Sequence, residues 1–157
     1  MPHPLLVRLG RTRAFTRLAP HLLPRCDLAV HRLTRGRWVP SSLFVPTVVL
    51  TTTGHRTGLP RSTPLCAHPG PDGSWIVVGS NFGLPRHPAW STNLLHHPQA
   101  RLTAGGRTRP VTAHLLSEEE RNRHRHRIRA AVPVYDTYAA RAQRDIRVFR
   151  LVPHPHA

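Results

Sequence analysis

The stretch "LTTTGHRTGLPRSTPL", Leu50 to Leu65, places a run of three threonines, two glycines and the cationic Arg56 and Arg61 between two apolar segments. A plain hairpin needs only two turn residues. Gly54 and Gly58 permit positive φ and close approach of the backbone. Successive N–H groups in such a turn can form an anion-binding nest. Arg56 and Arg61 add charge-assisted donors, and Thr51, Thr52 and Thr53 add hydroxyls. The combination suits a phosphate or a polyanionic tail; the plain alternative is a basic surface turn. It is not a Walker A loop, because the Gly-Lys-Ser/Thr ending is missing. It is not a dinucleotide fingerprint either, because no helical pattern follows.

Two further groups have chemical potential. Gly79-Ser80-Asn81 ends the apolar run "WIVV", where backbone and side chains can face a ligand. Trp90 and Asn93 then lie one helical turn apart on one face, so Trp90 can stack or pack while Asn93 hydrogen-bonds. Tyr135 and Tyr138 in "YDTY" are also three apart and present two hydroxyls on one helix face. For Trp90 and for the tyrosine pair, ordinary core packing is the competing reading. His124 and His126 point apart on a helix, and no histidine has zinc-site spacing, so no metal site is expected. No nucleophile elbow and no Ser/His/Asp or Cys/His grouping stands out. Carboxylates are scarce, with 7 in 157 residues, and three of them open one helix, which argues against carboxylate acid/base chemistry.

The totals narrow the partners. All 23 basic residues are arginine, giving a formal charge of +16. Such a charge attracts nucleic acid, anionic membrane or an acidic cofactor without choosing among them. Aromatic platforms are scattered and no recognition motif is present, so no specific nucleic acid is expected. Cys26 and Cys66 read as buried thiols in a reducing cytoplasm. No apolar run approaches the ~18 residues of a membrane span. A cytoplasmic protein, peripherally membrane-associated if at all, is the expectation.

These groups must be positioned by elements the pattern also suggests. Residues 1–37 alternate arginine with Leu, Val, Phe and Ala, a basic amphipathic segment suited to packing or to an anionic membrane. Pro20 and Pro24 should interrupt any helix there, and Asp27 could cap a short one through Leu33, stopped at Gly36. "FVPTVVLTT", "RSTPLCAH" and "SWIVVGS" read as strands. "GPDG" is a turn, "AWSTNLLHH" a short helix, and "ARLTAGGRTRPVTAHLL" a hairpin. Ser117 and Glu120 form a capping box that opens one long helix. "PVYDTYAARAQ" is a second helix with Pro133 in its first turn, and "DIRVFRLVP" a final strand. The sum is an α+β, barrel-like domain over residues 38–153 with a 154–157 tail.

"LTTTGHRTGLPRSTPL", "IVVGSNFG" and "HPAWSTNL", in that order, resemble the deazaflavin (coenzyme F-420)-dependent nitroreductase and quinone reductase family, over roughly Asp27 to Pro153. The resemblance implies an FMN-binding-like split β-barrel with an N-terminal helix and flanking helices. It also implies hydride transfer from reduced F-420 to a small-molecule acceptor: a quinone, a nitro compound or an activated alkene. FMN is the lesser cofactor candidate. A non-catalytic flavin, deazaflavin or heme binder of the same fold is the alternative. By this resemblance Leu50 and Thr51 would line the ring or ribityl chain, and His55, Arg56, Thr57, Gly58 and Arg61 would grip the phosphate and tail. Gly79, Ser80 and Asn81 would run along the ring, with Ser80 near the acceptor. Trp90 and Asn93 would close the tail side, and Tyr135 and Tyr138 would shape the substrate pocket, one of them supplying a proton, which makes them with Ser80 the catalytic candidates. Homodimers are common in such barrels. Four positions depart from the family pattern: His55 and Arg56 where Arg or Lys and Lys are common, Asn81 where a basic residue occurs, and Val132 where some members have a third tyrosine.

Overall fold

A computed structural model describes residues 13–33 and 47–155. Within them, β1 (Thr47–Thr53), β2 (Pro60–Pro69), β3 (Trp75–Val78), β4 (Gln99–Ala104), β5 (Arg107–Leu115) and β6 (Val148–Pro153) form a closed antiparallel barrel in the order β1-β2-β3-β6-β5-β4. The helices are α1 (Arg13–Leu33), α2 (Ala89–His96), α3 (Glu118–Arg123), α4 (Arg125–Ala131) and α5 (Tyr135–Ala142), with a 3-10 turn at Asn81–Gly83. The barrel, the split-barrel expectation and the strand segments therefore agree. Phe44 to Pro46, and Gly36 as a helix stop, lie outside the described residues.

Strand alternation builds the interior. In β1, Val48, Leu50 and Thr52 point inward and are nearly inaccessible, as period-2 geometry requires. They meet Leu65, Ala67, Val77, Leu102, Val111 and Phe149, and α2 adds Trp90 and Leu94 to the same core. The Trp90 and Phe149 rings lie 5.9 Å apart. A second apolar layer forms outside the barrel, where Ile76, Val78 and Val148 receive Ile128, Ala131, Val132 and Tyr138. β3 is thus buried on both faces, which explains its unbroken apolar run.

Four local expectations need correction. α1 runs unbroken through positions 20 and 24. An interior proline costs a helix about 3 kcal/mol, but α1 rests against β2 and the 3-10 turn, and tertiary packing overrides local preference. Asp27 lies inside this helix at 4% exposure, so it is no cap. The capping box at Ser117 and Glu120 is present, but the helix breaks at His124 (φ −97°, ψ 13°). The break lets α3 stay at the surface, with no buried residue, while α4 turns Arg127, Ile128 and Ala131 inward. Finally, α5 starts at Tyr135, so Pro133 sits in the preceding turn.

Candidate functional site: a cationic cleft at one barrel end

The β1–β2 turn is closed by backbone bonds from Gly54 N–H to the Leu59 carbonyl (2.8 Å) and from Gly58 N–H to the Gly54 carbonyl (2.7 Å). Gly58 has φ +66°, a conformation only glycine adopts cheaply. A Cβ at Gly54 would lie 2.7 Å from Thr57 Oγ1 and 3.2 Å from the Leu59 carbonyl, so that position is sterically closed to larger residues. The Leu59 N–H donates to Thr57 Oγ1 and the His55 N–H to Asn93 Oδ1. Four amides of the turn are therefore already engaged, three within the turn and one by Asn93. The expected backbone nest is not what this turn offers, and anion recognition falls to its side chains.

Asn93 fixes the turn to the barrel. Its Oδ1 accepts from the His55 N–H at 3.1 Å and meets His55 Nδ1 at 2.9 Å, while its Nδ2 donates to Thr52 Oγ1 at 3.0 Å. The bonds to Asn93 require His55 Nδ1 to carry a proton. The His55 ring also stacks on His96 at 5.2 Å. Asn93 is 4% exposed; its Oδ1 meets two His55 nitrogens and its Nδ2 donates one bond to Thr52, so it holds the turn to the barrel.

Beside the turn lies a cleft of about 550 Å³. His55, Arg56, Thr57 and Arg61 line one side and Ala89, Trp90 and Asn93 the other, while α1 contributes Arg32. Six of the residues singled out in the sequence converge here. No carboxylate is among the described residues lining the cleft, and no salt bridge engages Arg32, Arg56 or Arg61 within the described residues. Unpaired guanidinium groups around a concavity make an anion site, because each offers planar, forked donors and a permanent charge. The set fits an acidic cofactor bearing phosphate and carboxylates.

The other predicted positions lie elsewhere. Leu50 is fully buried inside the barrel. Thr51 faces outward and its hydroxyl bonds Ser62 Oγ at 2.9 Å. Gly58 is at the exposed tip of the turn. Gly79, Ser80 and Asn81 lead into the 3-10 turn, where Asn81 (φ 45°) and Phe82 (φ 56°) hold left-handed conformations that a non-glycine residue adopts at a cost. Arg144 holds that segment: its guanidinium donates to the carbonyls of Gly79, Ser80 and Leu84 and to His87 Nδ1, at 3.1 to 3.2 Å. Tyr138 packs on the same turn, with its ring 6.4 Å from Phe82. Burial, followed by the nearby Cys66, pushes its phenol up to about 12. Tyr135 stands apart, in a polar pocket of about 170 Å³ with Arg121 and Asp145, and burial raises its phenol as well.

Sequence reasoning missed Arg32, Arg144 and the anchoring role of Thr52. Only Thr52 had a readable signal, since strand alternation puts it on the face of Val48 and Leu50. Arg144 has partners 57 to 65 residues away and no local pattern.

Comparison with known proteins agrees with the barrel fold. An F420H(2)-dependent quinone reductase of Mycobacterium tuberculosis is 35% identical over 94 residues, covering 58% of this chain. The match spans 61% of that relative's length, so it reaches less than two thirds of the protein. A solved F420-H2 dependent reductase (FDR-A) superposes with a TM-score of 0.60 at 34% identity, over 68% of this chain and 93% of the other. A structure described as a domain-swapped dimer superposes at 0.63 with 29% identity, over 79% and 94%. Residues 23–153 match the F420H(2)-dependent quinone reductase family, and the chain belongs to that family.

Proposed function

We propose that this protein is an oxidoreductase that uses reduced coenzyme F-420 to reduce a small electrophilic acceptor of the quinone class. The observation that carries the reading is the trio Arg32, Arg56 and Arg61 around one carboxylate-free cleft. Arg56 and Arg61 would hold the cofactor's phosphate and acidic tail, with Arg32 closing from α1. His55 and Thr57 would add donors at the turn, and Trp90 would supply an apolar wall. When bound, the cofactor supplies a hydride, and the acceptor gains that hydride and one proton. The chain's part is to orient the ring, exclude water and stabilise charge on the acceptor. Ser80 and Tyr138 are the groups we assign to the acceptor side. A phenol raised to about 12 stays protonated at neutral pH and so serves as a hydrogen-bond donor. Tyr135 is the weaker assignment, because it shares a different pocket.

Fluorescence titration of F-420 into the full chain tests the cleft. Saturable binding that weakens with salt is expected, and Arg56→Ala and Arg61→Ala should each raise Kd about tenfold or more, as charge-assisted bonds predict. Unchanged affinity in both variants would refute the assignment. The acceptor assignment is tested by turnover with a soluble quinone in Tyr138→Phe, which should lose kcat while F-420 affinity holds.

We also assign α1 to peripheral contact with an anionic membrane. Leu18, Leu22, Cys26, Ala29 and Leu33 are all exposed and fall on one helical face at 3.6 residues per turn. His21, Arg25 and Arg32 flank that stripe, the arrangement of an interfacial helix. No described helix is long and apolar enough to cross a membrane. Co-sedimentation with anionic but not neutral vesicles, lost in Leu18→Glu/Leu22→Glu, is the expected result. A homodimer is proposed from the domain-swapped relative, and light scattering of the purified chain would detect it.

A further inference from the structure

A second cationic cluster, far from the cleft, has no role in the reading above. β2 starts at Pro60 beside the cleft, so His68, eight residues on, lies roughly 25 Å away along an extended strand. The register sets His68 opposite Ile76, Ile76 opposite Arg150, and Arg150 opposite His114. Such cross-strand neighbours project from one face of the sheet. α4 crosses this face against β2 and β3 and delivers Arg127, with His124 at the helix break and His126 beside it.

Arg127 is the anomaly. It is 7% exposed, yet its Nε and Nη2 are buried without a hydrogen-bond partner. Its guanidinium presses on the β2–β3 turn, where a Cβ at Gly70 would come within 2.5 Å of Nη2. Asp72, the carboxylate acting on it, is already engaged by Arg150 Nη2 at 2.5 Å and by Ser74 Oγ at 2.6 Å. An arginine cannot shed its charge, and buried donors left unpaired are rare in folded proteins. Beside the already engaged Asp72 its neighbours are cations and imidazoles, so the two N–H groups are left for a partner from outside the described residues, and the local charge favours an anion.

We propose that Arg127 is the centre of a second anion site, separate from the cleft, that takes a small oxyanion of the sulfate or phosphate class, with His68 and His124 closing around it. The groups facing those imidazoles are known. Burial and then Arg127 and His126 hold His68 below the usual imidazole range. Burial and then Arg127, Arg150, Arg123 and His126 do the same for His124. On the acidic side, Asp72 acts on Arg127 and Glu120 faces His124. An anion placed here reverses the repulsion and raises both histidines. Binding therefore takes up protons and tightens as pH falls from 8 to 6.

The proposal is independent of what the cleft binds. Sulfate is the probe, because its charge is constant over that pH range. It is titrated calorimetrically, at fixed ionic strength in chloride, into the full chain carrying Arg56→Ala and Arg61→Ala so that the cleft does not compete. One saturable site is expected, tighter at pH 6 than at pH 8, with proton uptake visible as a dependence of the heat on buffer ionisation enthalpy. Adding Arg127→Gln should weaken it about tenfold or more, and Gly70→Ala, which displaces the guanidinium, should also weaken it. If Arg127→Gln does not fold, NMR of the unsubstituted protein decides the matter: sulfate should raise the titration midpoints of His68 and His124 while that of exposed His97 stays in place. Midpoints that do not move, no saturable binding, or binding indifferent to both Arg127→Gln and pH would overturn the proposal; the last result would mean an adventitious ion only.

Discussion

Asn93→Ala should separate the two duties that the cleft places on one side chain. Asn93 makes three contacts, to Thr52 Oγ1 at 3.0 Å and to His55 N and Nδ1 at 3.1 and 2.9 Å. The His55 groups are half-exposed and water can replace the lost acceptor, so those losses are cheap. Thr52 is 2% exposed, and its hydroxyl becomes a buried orphan at a cost of about 1–3 kcal/mol. With about 1 kcal/mol more for the remaining hydrogen bonds, the expected loss is about 2–4 kcal/mol. For a chain of this size that lowers Tm by about 5–15 °C. Urea unfolding of Asn93→Ala, Thr52→Val and the double variant measures it. Since the cost comes from the orphaned hydroxyl, Asn93→Ala should cost at least about 1 kcal/mol less in the Thr52→Val background, a coupling of the size that contacting residues show. Equal cost in both backgrounds would refute the anchor argument and return Asn93 to the role of a ligand group.

Gly83→Ala should destabilise by about 1–3 kcal/mol, because φ is +73° and the new Cβ would lie 3.2 Å from Tyr138 Cα and 3.3 Å from its carbonyl; urea midpoints measure this, and a neutral result would mean that the turn can move away from α5. Iodoacetamide at pH 8 should label one thiol in the native protein and two after unfolding, by mass spectrometry. Cys26, expected from the sequence to be buried, is exposed on α1, whereas burial, and secondarily Asp27, pushes the Cys66 thiol up to about 11, where almost no thiolate exists. Stability should fall as pH drops below about 6.5. His68, His87 and His124 are all held below their ordinary values, each chiefly by burial, so the unfolded chain binds more protons in that window and unfolding is favoured as acid is added. A urea midpoint at pH 5.5 equal to that at 7.5 would contradict this, and His87→Gln should reduce the difference.

What could be read from the sequence was whatever lies within a few residues of itself. The β-branched, apolar run "FVPTVVLTT" marked a strand, Ser117 and Glu120 marked a helix start, and Trp90 with Asn93 fell on one face because they are one helical turn apart. Barrel closure was not readable in this way. β3 pairs with β6 through Trp75 and Leu151, a pairing with no local signature whose loop-closure cost is recovered only in the assembled sheet. The Arg144 bonds to three carbonyls and the unbroken α1 are of the same kind. Both depend on surfaces supplied by distant parts of the chain. The likeness of three ordered motifs to a known family carried the architecture further than periodicity did.

That distinction also bears on the predicted site residues that have structural partners. Polar residues beside a cleft are either presented to the ligand or spent on holding the presenters still, and residue type alone does not distinguish the two. Thr51 and Thr52 are neighbours in sequence and identical in chemistry. One faces Ser62 on the outer wall, and the other is sealed beneath Asn93. Trp90 is held twice, lining the cleft and packing on Phe149 in the barrel core. A ligand that pulls on the turn through Arg56 or Arg61 therefore pulls on Asn93, Thr52 and α2, and through Trp90 on the barrel interior. The supports of the cleft are buried residues. Its arginines can be replaced at little cost to the fold, whereas Asn93, Thr52 and Trp90 cannot.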